Sequence, residues 1–266
     1  MIKDYKNGGE FIADNEKYLN TDKNLSAFFF LDAPLFVVQD DTHYAFAVSD
    51  GESKLLAMKV QPYDLMLFGD PGLVPEAVRH IVSRGGRIGD VLCEEGLGLK
   101  LTDFVKEEYG WTYAEALAMD FMEARERTAP SSDEVVHATA DDIDEIFECT
   151  ERFVADCGLN DEVNRERLLT NIDSFRCVRR DGKIASMAKI ACSSDETMRI
   201  VSVYTRNEYR GQGLARKVVN TAKNEILDSG CVAVLNVDRF NPISYHLYSS
   251  LGFHRLFSQG EFRHID

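Results

Sequence analysis

The alternation of hydrophobic and polar positions is most regular in the second half of the chain. Residues 198–205 form an apolar, β-branched run that predicts a buried strand. Apolar residues then recur at helical spacing over 214–226, until Asp228-Ser229-Gly230 ends the pattern. A second apolar run at 232–237 predicts another buried strand, and a helix is expected over 242–251. Strands that alternate with helices in this way indicate a mixed α/β sheet.

The first half of the chain has a comparable pattern. Its spacing predicts a helix over 10–31, followed by four short strand-like runs at 35–39, 44–48, 55–60 and 65–68. Further elements are expected downstream, namely a helix over 74–83, a strand over 88–92, a helix over 98–109 and an alternating run over 111–122. A chain of 266 residues has room for one large domain or two small ones.

A polar stretch divides the two halves. Residues 123–133 carry a proline and lack apolar periodicity, which is typical of a boundary between domains. We therefore expect a first domain over 1–124, a linker over 125–133 and a second domain over 134–266. In the second domain, the spacing of Thr139 and Asp142 resembles a capping box and predicts the start of a helix. A hairpin is expected to turn at Arg180-Asp181-Gly182.

The turn between the strand at 198–205 and the helix at 214–226 contains Arg210, Gly211 and Gly213. Glycine lets a backbone approach a ligand closely and adopt dihedral angles that other residues avoid. The first N–H groups of a helix have no intrahelical partner, and the helix dipole adds about half a positive charge at that end. A strand, a glycine turn and a helix start in this order therefore predict a seat for a phosphate or diphosphate group.

Two common phosphate-binding loops are excluded by the sequence. It contains neither the Gly-x-x-x-x-Gly-Lys-Ser/Thr pattern of P-loops nor the Gly-x-Gly-x-x-Gly pattern of dinucleotide folds. The glycine-rich run Arg84-Gly-Gly-Arg-Ile-Gly89 follows a predicted helix and precedes a strand, which is the reverse of the order that a phosphate seat needs. We interpret this run as a helix stop and a turn.

Two motifs in the second half resemble those of one family. Arg210-x-x-Gly213-x-Ala215 resembles the diphosphate-binding signature, Arg/Gln-x-x-Gly-x-Gly/Ala, of the GCN5-related N-acetyltransferase (GNAT) superfamily. A second motif of that superfamily is similar in residue types and spacing to Asn241, Ser244, Tyr248 and Gly252-Phe253. The short glycine pattern recurs by chance in other proteins, whereas two matches in the order of the family make a specific signal.

The resemblance implies a fold, an activity and a cofactor. The implied fold is a tandem acyl-CoA N-acyltransferase fold that is complete over 134–266 and degenerate over 1–124, where no Arg-x-x-Gly-x-Ala motif occurs. The whole chain resembles the FR47-like subgroup of bacterial acetyltransferases. The implied activity is transfer of an acetyl group from acetyl-CoA to a small-molecule or peptide amine, by direct attack in a ternary complex. The alternative is an acyl-CoA-binding or sensing protein with little or no transferase activity.

The resemblance also implies roles for individual residues. Backbone groups of Val203 and Thr205 would contact the pantetheine arm of coenzyme A and polarise the thioester carbonyl. Asn241 would contact the same arm, and Tyr248 would protonate the departing thiolate as general acid. The diphosphate would be bound by the backbone N–H groups of Arg210, Gly211, Gln212, Gly213, Leu214 and Ala215.

Several of these residues also fit simpler roles. Tyr248 has the spacing of a core aromatic residue, and Asn241 before a proline fits an ordinary helix N-cap. The general base is either Glu196, at the start of one strand, or Asp238, at the end of the next, and each also fits a solvated carboxylate. No Ser or Cys has the spacing of a nucleophile and its base, so we do not expect a covalent acyl-enzyme.

Composition and charge limit the expected partners. A formal net charge of −15 disfavours nucleic-acid binding, suits an amine substrate and also fits a role in solubility alone. No apolar run reaches transmembrane length and the polar N-terminus lacks a signal core, so we expect a cytoplasmic protein without membrane contact. The six cysteines lack the spacing of zinc sites, and no metal is expected. Both a monomer and a homodimer are compatible with the sequence.

Overall fold

The computed structural model describes residues 1–37, 42–158, 162–193 and 196–265. These residues form twelve β-strands and eight α-helices. The chain divides into two compact units. Unit 1 consists of Met1–Asp120, Asp238–Phe240 and Phe257–Asp266, and unit 2 consists of Phe121–Val237 and Asn241–Leu256.

Unit 1 contains a mixed sheet. Its strands are β1 (Ile2–Tyr5), β2 (Tyr44–Asp50), β3 (Ser53–Lys59), β4 (Leu65–Gly69), β5 (Val91–Glu94), the first part of β6 (Thr112–Ala124) and the last part of β12 (His254–Ile265). They lie in the order β1-β2-β3-β4-β5-β12-β6. The pair β4–β5 is parallel, whereas β1–β2, β2–β3, β3–β4 and β5–β12 are antiparallel.

Helices cover both faces of the sheet in unit 1. One face packs against α1 (Gly8–Leu19) and α2 (Ala27–Asp32), and the other packs against α3 (Val74–Ser83) and α4 (Glu95–Tyr109). The buried strand β3 serves both layers, because successive side chains of a strand point to opposite faces. Leu55 accordingly packs in the cluster of α3 and α4, and Leu56 packs in the cluster of α1 and α2.

Unit 2 has a similar layered arrangement. Its strands are the end of β6, β7 (Val135–His137), β8 (Phe175–Arg180), β9 (Lys183–Cys192), β10 (Thr197–Thr205) and β11 (Val232–Asp238), in the order β6-β11-β10-β9-β8-β7. One face packs against α5 (Ile143–Asp156) and α6 (Arg165–Thr170). The other face packs against α7 (Leu214–Asp228) and α8 (Pro242–Ser250). The pair β10–β11 is parallel, and β7–β8, β8–β9 and β9–β10 are antiparallel.

The expected mixed α/β fold is confirmed, and several elements lie where the sequence places them. Helix α3 begins and ends at the predicted residues, 74 and 83. The capping box of Thr139 and Asp142 is formed. The hairpin β8–β9 turns at Asp181 and Gly182, both of which have positive φ.

One local expectation was wrong, and one helical segment is divided. The segment predicted to be helical over 10–31 forms α1 and α2, and the Asp22 carboxylate closes a turn between them by accepting hydrogen bonds from the backbone N–H groups of Asn24 and Leu25, each at 3.1 Å. Residues 33–35 form a 3₁₀ turn where the start of a strand over 35–39 was expected. Residues 38 and 39 of that expected strand lie outside the described residues.

The compact units differ in extent from the segments that the sequence suggests. The expected linker, 125–133, lies within unit 2, and the last residues of the chain, from Phe257, belong to unit 1. That unit 1 is a degenerate copy of unit 2 stays a prediction.

Candidate acyl-CoA site in unit 2

Strands β10 and β11 pair only near their N-terminal ends. The parallel register joins Thr197–Arg199 to Val232–Val234, and no further pairing between these two strands is present in their described residues. Strand β10 stays paired with β9, with a bulge between Val201 and Tyr204. The facing edges of β10 and β11 therefore carry backbone groups that a ligand can bind.

The bulge changes the direction of the side chains that follow it. Ser202 has φ 51°, in the left-handed region that a residue other than glycine seldom adopts. Ile200 and Val203 both contribute to the cluster around α7, whereas Tyr204 packs in the cluster of α5. The irregular part of β10 thus includes Val203, whose backbone is expected to contact the pantetheine arm and the thioester carbonyl.

After β10 the chain enters a turn with two left-handed glycines. Gly211 has φ 76° and Gly213 has φ 73°. A Cβ atom at either position would meet no atom within 4 Å, so backbone conformation and not packing calls for glycine here. Gly213 is the N-cap of α7 and supplies no side-chain cap.

The backbone N–H groups of this turn are mostly open. Those of Gly211, Gln212 and Gly213 have no backbone acceptor within the described parts of the chain. The N–H of Arg210 donates to the carbonyl oxygen of Asn207 at 3.3 Å, so it is less accessible than the sequence suggests. Leu214 is buried and anchors the first turn of α7, while Ala215 is half-buried. The turn offers the orphan donors that an anion site at a helix start requires.

The Arg210 side chain braces the turn from outside. Its Nε donates to the carbonyl oxygen of Thr205 at 3.0 Å, and its Nη2 donates to Asp156 Oδ2 at 2.7 Å. Asp156 is the last residue of α5. The side chain therefore connects the end of β10 to the end of α5, a role that its place in the sequence motif does not reveal.

A second arginine, Arg206, fixes the same end of β10 from within. It is 5% exposed, and its Nε donates to the carbonyl oxygen of Ile184 at 2.8 Å. Its two terminal nitrogens donate to the carboxylate of Glu148 in α5, at 3.1 and 2.8 Å. These bonds raise the pKa of Arg206 and hold the pKa of Glu148 below its ordinary value. This ion pair was not predicted from the sequence. Its only local signal is an arginine directly after a buried strand.

Tyr248 lies on α8 and is 7% exposed. Its ring packs edge-on against Phe253, with ring centroids 6.1 Å apart. Burial raises the pKa of the Tyr248 hydroxyl to about 12, so the group is protonated at neutral pH. The residue is thus part of the core around α7 and α8.

The other expected site residues make local contacts. Asn241 is the N-cap of α8, and its Oδ1 accepts a hydrogen bond from the backbone N–H of Ser244 at 3.1 Å. Asp238 ends β11, and its carboxylate accepts from the backbone N–H of Phe240 at 2.9 Å. Glu196 is exposed directly before β10, and its carbonyl oxygen accepts from the N–H of Val232 at 2.9 Å. None of these contacts selects between the two candidate bases.

The turn between β4 and α3 in unit 1 differs in one respect from the glycine turn between β10 and α7. Here Asp70 directs its own carboxylate at the turn, accepting from the backbone N–H of Gly72 at 2.8 Å and from the Ser53 hydroxyl at 2.6 Å. These two hydrogen bonds hold the pKa of Asp70 below its ordinary value. A side-chain anion therefore occupies the N–H donor that a ligand phosphate would need.

In residues 1–37, 42–158, 162–193 and 196–265, no group of three or more His, Cys, Asp or Glu side chains could hold a metal ion. None of the helices in the described part of the chain has the length and apolar character needed to cross a membrane.

Comparison with known proteins identifies relatives of this fold. The model of the acetyltransferase (GNAT) family matches residues 140–253. A GCN5-related N-acetyltransferase from Sphaerobacter thermophilus has 14% identity and a TM-score of 0.64 over 99% of this chain and 95% of its own. An acetyltransferase of the GNAT family from Colwellia psychrerythraea has 12% identity and a TM-score of 0.63 over 99% of this chain and 100% of its own. No curated protein matches the sequence.

The family match covers the separated strands β10 and β11, the glycine turn and Tyr248. The two structural relatives extend the likeness in fold, though not in detailed function, to nearly the whole chain. Residues 140–253 therefore form a domain that is similar to the acetyltransferase (GNAT) family.

Proposed function

We propose that the chain is an acetyl-CoA-dependent N-acetyltransferase, which transfers the acetyl group to an amine by direct attack in a ternary complex. The observation that carries the proposal is the end of β10–β11 pairing after Arg199 and Val234, next to the open N–H groups of residues 211–213. Together they provide hydrogen-bonding edges for an extended arm and donors for a diphosphate at its end.

In this proposal the backbone N–H groups of residues 211–215 bind the diphosphate of coenzyme A. The left-handed glycines shape the turn that carries these groups, and the start of α7 adds its dipole. The backbone of Val203 and Thr205 binds the pantetheine arm and polarises the thioester carbonyl, which gains negative charge during attack. Asn241 lies at the start of α8 and contacts the same arm, while its Oδ1 keeps the N-cap bond to Ser244.

Acetyl transfer also requires two proton movements. The amine nitrogen forms a bond to the acetyl carbon, the carbon–sulfur bond breaks, and the sulfur leaves as a thiolate. The amine loses one proton to a base, either Glu196 or Asp238. Tyr248 donates its proton toward the thiolate. Its hydroxyl is protonated at the pH of the reaction, as an unshifted tyrosine also is, and its raised pKa makes it a weaker acid than an unshifted tyrosine.

Thermal unfolding with and without acetyl-CoA tests cofactor binding, because a ligand of the native state raises Tm by mass action. Release of coenzyme A thiol against a panel of amines then tests transfer. A raised Tm with amine-dependent thiol release supports the transferase. A raised Tm without release for any amine would favour an acyl-CoA sensor, and an unchanged Tm at saturating acetyl-CoA would contradict both functions.

A further inference from the structure

Arg199 of β10 is a largely buried cation without a carboxylate partner in the described residues. Its Nε is closed off from solvent and has no hydrogen-bond partner among the residues that the structure describes. The guanidinium lies 5.3 Å from the ring centroid of Phe121, and Nη2 donates to Ser193 Oγ at 3.3 Å. Burial lowers the pKa of Arg199. Because an isolated buried charge is costly, a guanidinium in this setting indicates an anion that binds from outside.

A second cation, Lys189, lies on the same face of the sheet. The register pairs Arg199 with Ala191 and Val201 with Lys189, so the side chains of Arg199 and Lys189 are diagonal neighbours. Lys189 Nζ lies 5.5 Å from the ring centroid of Phe175, and its pKa is lowered by burial and by a nearby arginine. Neither cation has a carboxylate partner among the described residues.

Strand β11 contributes an unpaired acceptor to this face. Val234 pairs with Arg199, and Asn236 lies two residues further along β11, on the same face. Asn236 Oδ1 is closed off from solvent and has no hydrogen-bond partner in the described part of the chain. Since β10 and β11 no longer pair at this level, the amide oxygen lies beside the proposed path of the pantetheine arm.

We infer that the acceptor amine also carries a carboxylate, which Arg199 binds while Asn236 Oδ1 accepts a hydrogen bond from the amine. This inference rests on the proposed function and names the chemical class of its acceptor. The planar guanidinium matches a carboxylate in two-bond geometry, and the ring of Phe121 limits its rotation. Arg199 is thus a specificity-determining residue that contacts the acceptor away from the reacting nitrogen.

Equilibrium binding of paired ligands tests the inference without acetyl transfer. A series of ω-amino acids of increasing chain length is titrated into the full chain by calorimetry, each compared with its primary amide. For at least one chain length, wild type is expected to bind the acid roughly 10- to 100-fold more tightly than the amide, the range of one charge-assisted pair. Arg199→Met is expected to remove this preference. Lys183→Met, which removes an exposed cation at the start of β9, should keep it.

Arg199→Met is expected to fold, because methionine replaces a buried charge that has no carboxylate partner in the described residues. Arg199→Lys is a second variant that keeps the charge but loses the planar fork, and an intermediate preference is expected. Equal binding of acids and amides by wild type, or an unchanged preference in both variants, would overturn the inference.

The same ligand pairs separate this inference from the proposed function. Thiol release from acetyl-CoA without any preference for carboxylates would contradict the inference and leave the transferase in place. A carboxylate preference that depends on Arg199, with no thiol release for any amine, would support the site and contradict the transferase.

Discussion

Lys223 of α7 donates a hydrogen bond from Nζ to the carbonyl oxygen of Leu251, the residue that follows α8, at 2.7 Å. The side chain is fully buried, and its second acceptor is Thr128 Oγ1 at 2.9 Å. Nearby on α7, Asn224 donates to the carbonyl oxygen of Ala129 at 2.9 Å. Since α7 begins at the glycine turn and α8 carries Tyr248, Lys223 connects the two helices of the proposed site.

Removing the Lys223 ammonium is expected to destabilise unit 2. Lys223→Met keeps much of the apolar stem but leaves the carbonyl oxygen of Leu251 without its donor, so the free energy of unfolding should fall by about 1–3 kcal/mol. Urea unfolding followed by circular dichroism measures the change. Lys217→Met is the control on the same helix, because its ion pair with Glu134 is half-exposed and should contribute less than about 1 kcal/mol. Equal loss in both variants would contradict the role of Lys223.

Lys223 is also expected to make the free energy of unfolding depend on pH in the alkaline range. Burial lowers the pKa of Lys223 in the folded protein below its ordinary value of 10.5. At pH values between the lowered pKa and 10.5, the unfolded chain therefore binds more protons than the folded one. The contribution of this group to stability should therefore rise as pH increases through the lowered pKa toward 10.5. Urea unfolding of wild type and Lys223→Met across this range measures the difference between them. A difference that stays constant or narrows with pH would contradict the lowered pKa.

Replacing Tyr248 by phenylalanine should slow turnover without weakening cofactor binding. The phenyl ring keeps the edge-on contact with Phe253 and removes only the hydroxyl. We expect kcat to fall by about 10²-fold or more, the usual contribution of a positioned proton donor. Steady-state thiol release gives kcat, and calorimetry gives the Kd of acetyl-CoA. Unchanged kcat would leave Tyr248 with its packing role alone.

The turn between β4 and α3 in unit 1, which contains Asp70 and Gly72, is expected to take no part in cofactor binding. Because Asp70 already accepts the N–H of Gly72, Asp70→Asn removes a side-chain anion at a site that holds no coenzyme A. The Kd and the stoichiometry of acetyl-CoA should match those of wild type in a calorimetric titration. A second bound equivalent, in wild type or in the variant, would show that unit 1 also binds the cofactor.

Local patterns in the sequence predicted much of the fold but few of the ion pairs and hydrogen bonds that hold the site together. The left-handed turn at Gly211 and Gly213 follows from a motif within six residues, and α7 follows from its apolar spacing. The ion pair of Arg206 with Glu148 joins residues 58 positions apart. The hydrogen bonds from Lys223 and Asn224 to the expected linker each span 95 positions. Such contacts depend on how helices pack on the sheet, which periodicity in one sequence does not encode.

The central claim is that the turn at Gly213 binds the diphosphate of coenzyme A, and calorimetric titration of acetyl-CoA into matched glycine variants tests it most directly. Gly213→Ala and Gly182→Ala introduce similar backbone strain, because φ is 73° at one position and 76° at the other and neither Cβ would meet an atom within 4 Å. Gly182 lies in the β8–β9 hairpin.

Wild type and Gly182→Ala are expected to bind one equivalent of acetyl-CoA with the same Kd. In Gly213→Ala the turn shifts to relieve its strain and misplaces the N–H donors, so Kd should rise by roughly tenfold or more, equivalent to about 1.4 kcal/mol. No binding to wild type, or the same Kd in both variants, would contradict the claim.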